Sequence, residues 1–517
     1  MKKDLKILAI LLLSCLILTG CGEKIEFSAG EYSVNSKTLS FPIEADEVPL
    51  LDNFTNLEKA DFTGSLCYEE LSQWQTAHPE VEVLYSLPLC DDLVLSSLDT
   101  ELSIDDQFMK CCDMSALAEN LKFFPNLEII RLCSKIETKN LKLISEFSKI
   151  RPDLCFDYEL EISGNTIDYS AKSLHLESLS KKDAKKLSYV LTAMPELKTI
   201  YLGSDEINPD LGFEDIASLV NARPDLEFRY NFTAFGKELS LMDKELDLKL
   251  IKMYDEGQLV RNIISCMPRL KVLDMDSCGV SNEAMAAIRD DFPQVKVIWR
   301  IWFGSSYTAR TDTEKILASK PSAGGPLKDD NTKALKYCTD VKAIDLGHNE
   351  ILSDISFISC MPKLEVVLMP MQAWSDASPF ANCPNIEYLE IQTTNCKDLT
   401  PLKNLKKLKH LNICYLFELD DISPIYELDL ERLWIGCIDP VPEEQVKEFQ
   451  RLHPKCEVNT TTYDPTEGGW RYPMWDTHGT GVFHPRYEKL RETMEYDRGG
   501  AAYNFIWNDP IAWSAYN

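Results

Sequence analysis

One phrase recurs at a constant spacing of 22 residues: Leu364-Glu-Val-Val367-Leu-Met369, Ile386-Glu-Tyr-Leu389-Glu-Ile391, Leu408-Lys-His-Leu411-Asn-Ile413 and Leu430-Glu-Arg-Leu433-Trp-Ile435. Val341-Lys-Ala-Ile344-Asp-Leu346 is a further copy, offset by 23 residues. Apolar residues at positions 1, 4 and 6 of such a period are typical of a stacked solenoid. The alternation within each phrase predicts a short strand, which buries its apolar face only by stacking on neighbouring copies.

A second phrase follows each predicted strand: Asp354-Ile-Ser-Phe-Ile358, Asp376-Ala-Ser-Pro-Phe380, Asp398-Leu-Thr-Pro-Leu402 and Asp421-Ile-Ser-Pro-Ile425. Ser or Thr before Pro is typical of a helix N-cap with Pro in the first helical position, so each phrase predicts a short helical turn. The run from Asp398 to Ile413 resembles the leucine-rich repeat family, in the 22-residue variety of the bacterial internalins, and the resemblance covers residues 338–437. It implies an α/β solenoid with a parallel β-sheet on the concave face, and with helices and short turns on the convex face.

The beginning of the chain resembles a bacterial lipoprotein signal peptide. Its first residues are basic, and residues 7–18 form an apolar run that is too short to span a bilayer. The run ends in Leu18-Thr19-Gly20-Cys21, which resembles a lipobox. The resemblance implies removal of residues 1–20, a lipid on Cys21, and a location on the extracellular face of the bacterial cell membrane. The alternatives are an ordinary secretory signal and a chance cysteine beside a cleavage site.

Composition narrows the classes of function. The net charge of −29 argues against a nucleic-acid partner, because proteins that bind nucleic acid carry basic patches. A hydrophobic content of 44% supports a large core. Several of the 17 cysteines recur in repeat register, which favours small buried side chains. These are Cys338, Cys360, Cys383, Cys414 and Cys437.

Residues 21–317 contain a longer, more divergent repeat. A proline separates a predicted helix from a strand phrase at Pro125, Pro195 and Pro268, about 70 residues apart. Each unit also predicts a hairpin, whose turn is marked by Gly164, Gly236 or Gly304. We interpret residues 21–317 as leucine-rich super-repeats with hairpins, residues 318–337 as a loop or boundary, and residues 338–458 as the 22-residue repeats.

The last part of the chain, residues 459–517, is rich in aromatic residues and poor in leucine. Two interpretations stay open for it. It could be a C-terminal cap, because the open end of a solenoid exposes a sheet edge and core. It could instead bind glycans or the cell wall, because exposed aromatic faces stack on sugars. The candidate glycan-binding residues are Trp470, Trp475, Tyr487 and Trp507.

The sequence contains no catalytic, cofactor or metal motif in a fitting context, so we predict a non-enzymatic binding function. The family resemblance implies that a ligand, here expected to be a protein, lies on the concave sheet. The outward-facing strand positions there mix aromatic, charged and amide side chains, as binding surfaces do. The candidate ligand-binding residues are Tyr388, Glu390, Gln392, His410, Asn412, Arg432 and Trp434. An ordinary exposed sheet face is the alternative for any one of them.

Overall fold

The computed structural model describes residues 23–90, 93–105, 114–132, 144, 146–157, 160–168, 171–176, 178–192, 194, 196–461, 469–471, 486–494 and 503–516. The predicted signal peptide, the lipid site Cys21 and the glycan candidate Trp475 lie outside these ranges. The chain divides into two compact units. Unit 1 is residues 1–242 with 262–268, and unit 2 is residues 243–261 with 269–517.

Unit 1 consists of short strands that alternate with helices. Its strands are β1 (Lys24–Phe27), β2 (Gly30–Ser33), β3 (Thr38–Ser40), β4 (Lys59–Asp61), β5 (Glu82–Leu84), β6 (Ser86–Cys90), β7 (Leu93–Ser96), β8 (Glu101–Ile104), β9 (Ile129–Leu132), β10 (Cys155–Asp157), β11 (Leu160–Ile162), β12 (Asn165–Ile167), β13 (Ser173–His175), β14 (Thr199–Ser204), β15 (Glu227–Ala234) and β16 (Lys237–Ser240). Its helices are α1 (Tyr68–Ala77), α2 (Met114–Asn120), α3 (Lys181–Leu191) and α4 (Phe213–Ala222), with 3-10 turns at Val48–Asn53 and Leu121–Phe123. Helix α5 (Gln258–Ile264) falls where the chain divides.

Unit 2 continues the same alternation with shorter coils. Its strands are β17 (Glu245–Asp247), β18 (Val272–Asp274), β19 (Lys296–Ile298), β20 (Arg300–Phe303), β21 (Tyr307–Arg310), β22 (Lys315–Leu317), β23 (Ala343–Asp345), β24 (Val366–Leu368), β25 (Tyr388–Glu390), β26 (His410–Asn412), β27 (Arg432–Trp434) and β28 (Glu457–Asn459). Its helices are α6 (Asn282–Asp291), α7 (Pro321–Gly324), α8 (Asp329–Thr332), α9 (Glu443–Leu452), α10 (Glu488–Met494) and α11 (Pro510–Tyr516). The 3-10 turns are Lys333–Tyr337, Ser356–Cys360, Ser378–Asn382, Thr400–Asn404, Ser423–Ile425 and Ile506–Asn508.

The repeated phrase forms one parallel ladder in unit 2. Strands β22 to β28 pair in chain order, and Leu389, Leu411 and Leu433 lie in register on neighbouring strands. All three side chains are fully buried. Each such burial contributes roughly 1.5–3 kcal/mol. A single coil could not bury these side chains alone, so each strand depends on the neighbouring coils for its stability. The ladder also runs from β22 to β23 across residues 318–337, which therefore do not interrupt the sheet.

The helical turns of the 22-residue coils begin differently from the prediction. The Ser or Thr of each phrase is the first residue of the 3-10 turn and not its N-cap, and the apolar residue before it, which is the N-cap, makes no side-chain cap hydrogen bond. Instead the aspartate two residues earlier accepts the backbone N–H of that Ser or Thr, as Asp398 does from Thr400 at 2.8 Å. The same bond recurs at Asp354, Asp376 and Asp421. The acidic residue, which is the constant first letter of the phrase, therefore fixes the start of each turn.

Both units contain antiparallel hairpins, and all of them except the N-terminal β1–β2 follow parallel strands. In unit 1 these are β1–β2, β6–β7, β11–β12 and β15–β16, and in unit 2 the hairpin is β20–β21. Gly164 and Gly236 have φ angles of 76° and 70°, a conformation that other residues adopt only with strain, so these hairpins reverse at the predicted glycines. Within the described ranges, no helix is both long enough and apolar enough to cross a membrane.

Candidate binding faces

The seven predicted ligand-binding residues lie on the face of the β22–β28 ladder that points away from the coil interior, and this face is covered. All seven side chains are buried, with exposed fractions between 0% and 7%. The expectation that they form an open surface is therefore not met in this structure. The cover is the C-terminal segment, by which we mean the described residues 469–471, 486–494 and 503–516.

Apolar side chains of the C-terminal segment form a second core with the ladder face. Trp470, Leu490 and Met494 are fully buried, and they pack in one cluster with ladder residues. The ladder members of this cluster are Leu317, Ala343, Val366, Leu368, Tyr388, Cys414 and Trp434. Strands β23 to β27 of this ladder are thus buried on both faces.

Glu390 is the polar centre of this second core. Arg471 donates two hydrogen bonds to its carboxylate, from Nε to Oε1 at 2.7 Å and from Nη2 to Oε2 at 2.5 Å. Trp470 Nε1 donates to Oε1 at 2.9 Å, and the Tyr388 hydroxyl donates to the same oxygen at 2.6 Å. Burial alone would raise the pKa of Glu390, but the Arg471 charge and these donors reverse the effect, so its pKa lies below the ordinary value. Glu390 is therefore a buried carboxylate that holds the segment in place.

A row of three side chains on neighbouring strands, Tyr388, His410 and Arg432, receives the aromatic residues of the segment. The Tyr487 ring stacks on Tyr388, with centroids 5.4 Å apart and an interplanar angle of 9°. The guanidinium of Arg432 lies 5.0 Å from the Trp470 ring centroid, and its Nη1 donates to the Trp470 carbonyl at 2.6 Å. One Trp residue thus engages Arg432 through both its ring and its backbone.

His410 is held in its neutral form within this row. Arg432 Nε donates to His410 Nδ1 at 3.0 Å, which requires an unprotonated nitrogen at that position. Burial, and after it the neighbouring Arg432 charge, lower the pKa of His410 to about 3. The Tyr487 ring covers His410 at a centroid distance of 4.5 Å. A protonated His410 would therefore be incompatible with the covered face.

The rim of the covered face carries ion pairs between the segment and ladder glutamates. Lys489 Nζ lies 2.9 Å from a Glu365 carboxylate oxygen and 2.6 Å from one of Glu387. The Tyr487 hydroxyl donates to Glu387 at 2.7 Å, and Arg486 pairs with Glu457 at 2.6 Å. The basic residues of the segment thus complement the acidic edge of the ladder.

The segment also completes an edge of the sheet. Leu317, on the first strand of the ladder, donates its N–H to Asn504 Oδ1 at 2.7 Å, and its carbonyl accepts the Asn504 N–H at 2.9 Å. The Asn504 carbonyl accepts the N–H of Thr308 in the β20–β21 hairpin at 2.8 Å. An edge strand that would otherwise expose unpaired backbone groups is therefore paired within the chain.

Three polar atoms beneath this cover have no hydrogen-bond partner among the described residues: Gln392 Oε1, Asn412 Nδ2 and Trp434 Nε1. Asn412 and Trp434 are register neighbours, and Gln392 lies two residues after the end of β25. A buried polar atom without a partner costs about 1–3 kcal/mol. The described C-terminal segment therefore leaves hydrogen-bonding groups unpaired in this part of the covered face.

A chemically similar row in unit 1 is open. His175, Tyr201 and Arg229 lie in register on β13, β14 and β15. The His175 and Tyr201 rings are parallel to within 7°, with centroids 4.1 Å apart, and the Arg229 guanidinium lies 5.1 Å from the Tyr201 centroid. Glu227 accepts a hydrogen bond from Arg229 Nε at 2.8 Å. His175 and Arg229 are exposed, and Tyr201 is half-buried.

The open row borders a cavity of about 480 Å³ within unit 1. Its wall includes apolar side chains, Ile207 and Met242, and polar ones, Asn231 and Ser240. Apolar walls combined with a few placed polar groups are typical of ligand sites. This row is not evident in the sequence, because its three residues belong to divergent coils whose spacing does not fix the register of their strands.

The predicted glycan-binding residues do not share one surface. Trp470 is fully buried and bound to Glu390, and Tyr487 is half-buried against Tyr388. Trp507 is 51% exposed and stacks on Phe505. Of the described candidates, only Trp507 presents a large exposed face, so the four residues do not act as one platform in this structure.

Comparisons with known proteins leave the family unassigned. No family model matches the chain, and no curated protein matches it. The chain is similar to a solved internalin of Listeria monocytogenes at 14% identity, covering 72% of this chain and 84% of that one, with a TM-score of 0.22. A leucine-rich repeat protein of Leptospira interrogans gives 14% identity, 79% and 91% coverage and a TM-score of 0.23. Internalin C2 of Listeria monocytogenes gives 16% identity, covering 45% of this chain and 87% of that one, with a TM-score of 0.22. TM-scores this low carry no argument about this chain, so the description of its fold rests on its own ladder.

Proposed function

We propose that this chain is a non-enzymatic, lipid-anchored surface protein of the leucine-rich repeat type that binds a partner protein through an open sheet face. The in-register ladder of 22-residue coils supports the repeat type. The lipobox-like Leu18-Thr19-Gly20-Cys21 supports a lipid anchor on the extracellular face of a bacterial membrane. The net charge of −29 agrees with a protein partner and disfavours nucleic acid.

One observation carries the choice of binding face. The Tyr388–His410–Arg432 row in unit 2 already holds aromatic residues of the chain itself, whereas the His175–Tyr201–Arg229 row in unit 1 is open beside a cavity. An exposed cluster of Tyr, His and Arg suits recognition, because aromatic residues and Arg contribute most to protein interfaces. We therefore place the partner on the unit 1 row.

The seven residues predicted from the sequence become a conditional proposal. They could bind a partner only in a state in which the C-terminal segment has left the ladder face. Such a state loses the buried bonds between Glu390 and the segment, as well as the apolar cluster around Trp470. The open row requires no such rearrangement, which is why we prefer it.

The test of the face is retention of a surface-protein extract on immobilised soluble protein that begins at Gly22. We expect Tyr201→Ala to lose a band that the unsubstituted protein retains. The matched control is Arg131→Ala. Arg131 is the third residue of β9, the middle strand of the parallel sheet β8–β9–β10, as Tyr201 is the third residue of β14 between β13 and β15. Arg131 is paired with Glu101 and Asp157. Equal retention by all three proteins would rule out the unit 1 row as the binding face.

The anchor has its own test in the living cell. We expect incorporation of labelled palmitate into the full-length chain and recovery of the protein with membranes. Cys21→Ala should abolish both, because Cys21 supplies the thiol that carries the lipid. Label that persists in Cys21→Ala would show that the lipobox interpretation is wrong.

A glycan-binding alternative is favoured by one observation at the C-terminus. Trp507 and Trp513 are 51% and 49% exposed, on the last turns of the described chain. Retention on insoluble cell-wall glycan that is lost in Trp507→Ala, but not in Tyr201→Ala, would select this alternative over partner binding in unit 1.

A further inference from the structure

We infer that the His175–Tyr201–Arg229 row docks an extended peptide segment of the partner through a tryptophan or tyrosine side chain. This inference rests on the function proposed above and adds the chemistry of the ligand. The covered row of unit 2 supplies the argument, because it shows what a Tyr, His and Arg row on a parallel ladder binds when it is occupied.

The occupied row uses a specific combination of contacts. Arg432 lies over the ring of Trp470 and also donates to the carbonyl of that residue. Tyr388 receives a second aromatic ring from Tyr487 in a stacked arrangement. The occupant is thus a peptide that offers aromatic rings together with backbone acceptors, and both features are general to aromatic residues in extended segments.

The open row has the same groups available. Arg229 is bonded to Glu227 through Nε alone among the described residues, so its terminal N–H groups can donate to a peptide carbonyl as Arg432 does. The His175 and Tyr201 rings form a flat stack that presents aromatic edges and an outer ring face. A guest ring that enters the cavity would also meet Met242, and thioether contacts with aromatic rings are favourable.

Charge and position agree with a peptide that is not strongly acidic. The carboxylate of Glu227 partly neutralises Arg229, and the whole chain carries a net charge of −29. An acidic segment would therefore be repelled at long range. A neutral or basic segment with an aromatic residue meets no such barrier, and the segment that covers unit 2 is of this kind, with Arg471, Arg486 and Lys489 beside its aromatic residues.

The experiment uses the soluble chain from Gly22 and two probes, acetyl-Gly-Trp-Gly-amide and acetyl-Gly-Leu-Gly-amide, in saturation-transfer NMR. We expect saturation of the indole protons of the first probe, and at least fivefold less saturation of the leucine methyls of the second. Arg229→Gln and Tyr201→Ala should each reduce the indole signal at least fivefold. Arg131→Ala should leave the indole signal unchanged, because the register neighbours of Arg131 are Ser103 and Asp157 and neither is aromatic.

The outcomes separate this inference from the proposed function. Partner retention that depends on Tyr201, without indole saturation, would leave the proposed function standing and overturn the aromatic ligand. Equal saturation of the two probes, or an indole signal unchanged in Arg229→Gln, would overturn it as well. The exposed position of Arg229 makes Arg229→Gln a variant that folds even if Tyr201→Ala does not. Saturation of N-acetylglucosamine trimer that is lost in Tyr201→Ala would assign the row to a glycan and also contradict the inference.

Discussion

The two units carry similar side chains on their ladder faces and use them differently. Unit 2 presents Tyr388, His410 and Arg432 in register, and a distant part of the same chain covers them. Unit 1 presents the same three residue types, and they remain open. Residue type on a sheet face therefore does not decide whether the face is accessible. In unit 2 the covering segment closes the face, whereas His175 and Arg229 of unit 1 are exposed.

The comparison extends to the ion pairs of the two faces. Glu390 and Arg471 are removed from water together, and the carboxylate also accepts hydrogen bonds from Trp470, Tyr388 and Gln392. In unit 1, Arg131 bridges Glu101 and Asp157 on neighbouring strands, but all three remain between 43% and 49% exposed. A buried pair is costly to break because one partner is left in the core, whereas an exposed pair returns to water at little cost.

The largest predicted effect concerns Glu390, the buried carboxylate of the covered face. We expect Glu390→Leu to lower the free energy of unfolding of unit 2 by about 3–5 kcal/mol, because Arg471, Trp470 and Tyr388 all lose their common acceptor. Urea unfolding of the soluble chain measures the change. Glu101→Leu is the matched control in unit 1, where we expect the transition to stay where it is. Similar shifts for the two variants would mean that the C-terminal segment does not hold the ladder face in solution.

A smaller effect tests the hydrogen bond that the aromatic cover contributes. Trp470→Phe keeps an aromatic ring but removes the Nε1 donor to Glu390. We expect a loss of about 1.5–3 kcal/mol, since the acceptor is charged. Tyr201→Phe makes a comparable deletion in the open row, where Tyr201 lines the cavity and is only half-buried, so we expect little change in stability. Thermal melting of both variants compares the two faces, and a larger shift for Tyr201→Phe would contradict the assignment of covered and open rows.

Much of the ladder could be predicted from the sequence, because its determinants are local and periodic. The spacing from Leu364 to Leu430 sets the register of β24 to β27, and alternation within each phrase sets which side chains point into the coil. The hairpin turns could also be predicted, since their backbone has a positive φ that glycine adopts without strain. The prediction that the Ser or Thr of each phrase is an N-cap is wrong, because the Ser-Pro or Thr-Pro pair has the commoner cap pattern while the aspartate two residues earlier accepts the N–H that starts the turn.

The packing of the C-terminal segment on the ladder face could not be predicted from sequence periodicity. Trp470 and Arg471 contact a residue 80 or 81 positions earlier, and no periodicity links them to it. One signal was nevertheless present in the sequence. Val366 and Leu368 occupy outward positions of their strand, and a strand that is apolar on both sides is typical of a sheet covered on both faces.

The third prediction uses pH to probe the covered row. The folded-state pKa of His410 is lowered from 6.5 to about 3 by burial and by Arg432, so between these values the unfolded chain binds a proton that the folded chain does not. The contribution of His410 to stability therefore falls as the pH falls below 6.5. At pH 5 the loss is about 2 kcal/mol, from 1.36 kcal/mol per pH unit.

Urea unfolding between pH 7.5 and pH 5 measures this loss. His410→Gln should reduce the slope, because the variant has no proton to take up at this position. The range stops above the ordinary pKa of Glu390, whose lowered value adds a loss only under more acidic conditions. Glu431 lies 3.9 Å from His410 Nε2 and is exposed, so it offsets little of the effect. An unchanged slope in His410→Gln would show that the row is open to water.

The smallest effect concerns the rim, where covered and open faces should differ least. Lys489 contacts Glu365 and Glu387, but the three side chains keep about a third of their surface in water. Solvent screening therefore limits the expected loss for Lys489→Ala to under about 1 kcal/mol, and 1 M salt should shrink it further because the Debye length falls to about 3 Å. Lys59→Ala removes a comparable, more exposed pair with Glu82 in unit 1 and should have no measurable effect. If Lys489→Ala instead matched Glu390→Leu and resisted salt, the rim would be part of the dry interface, and the second core would extend to the edge of the ladder.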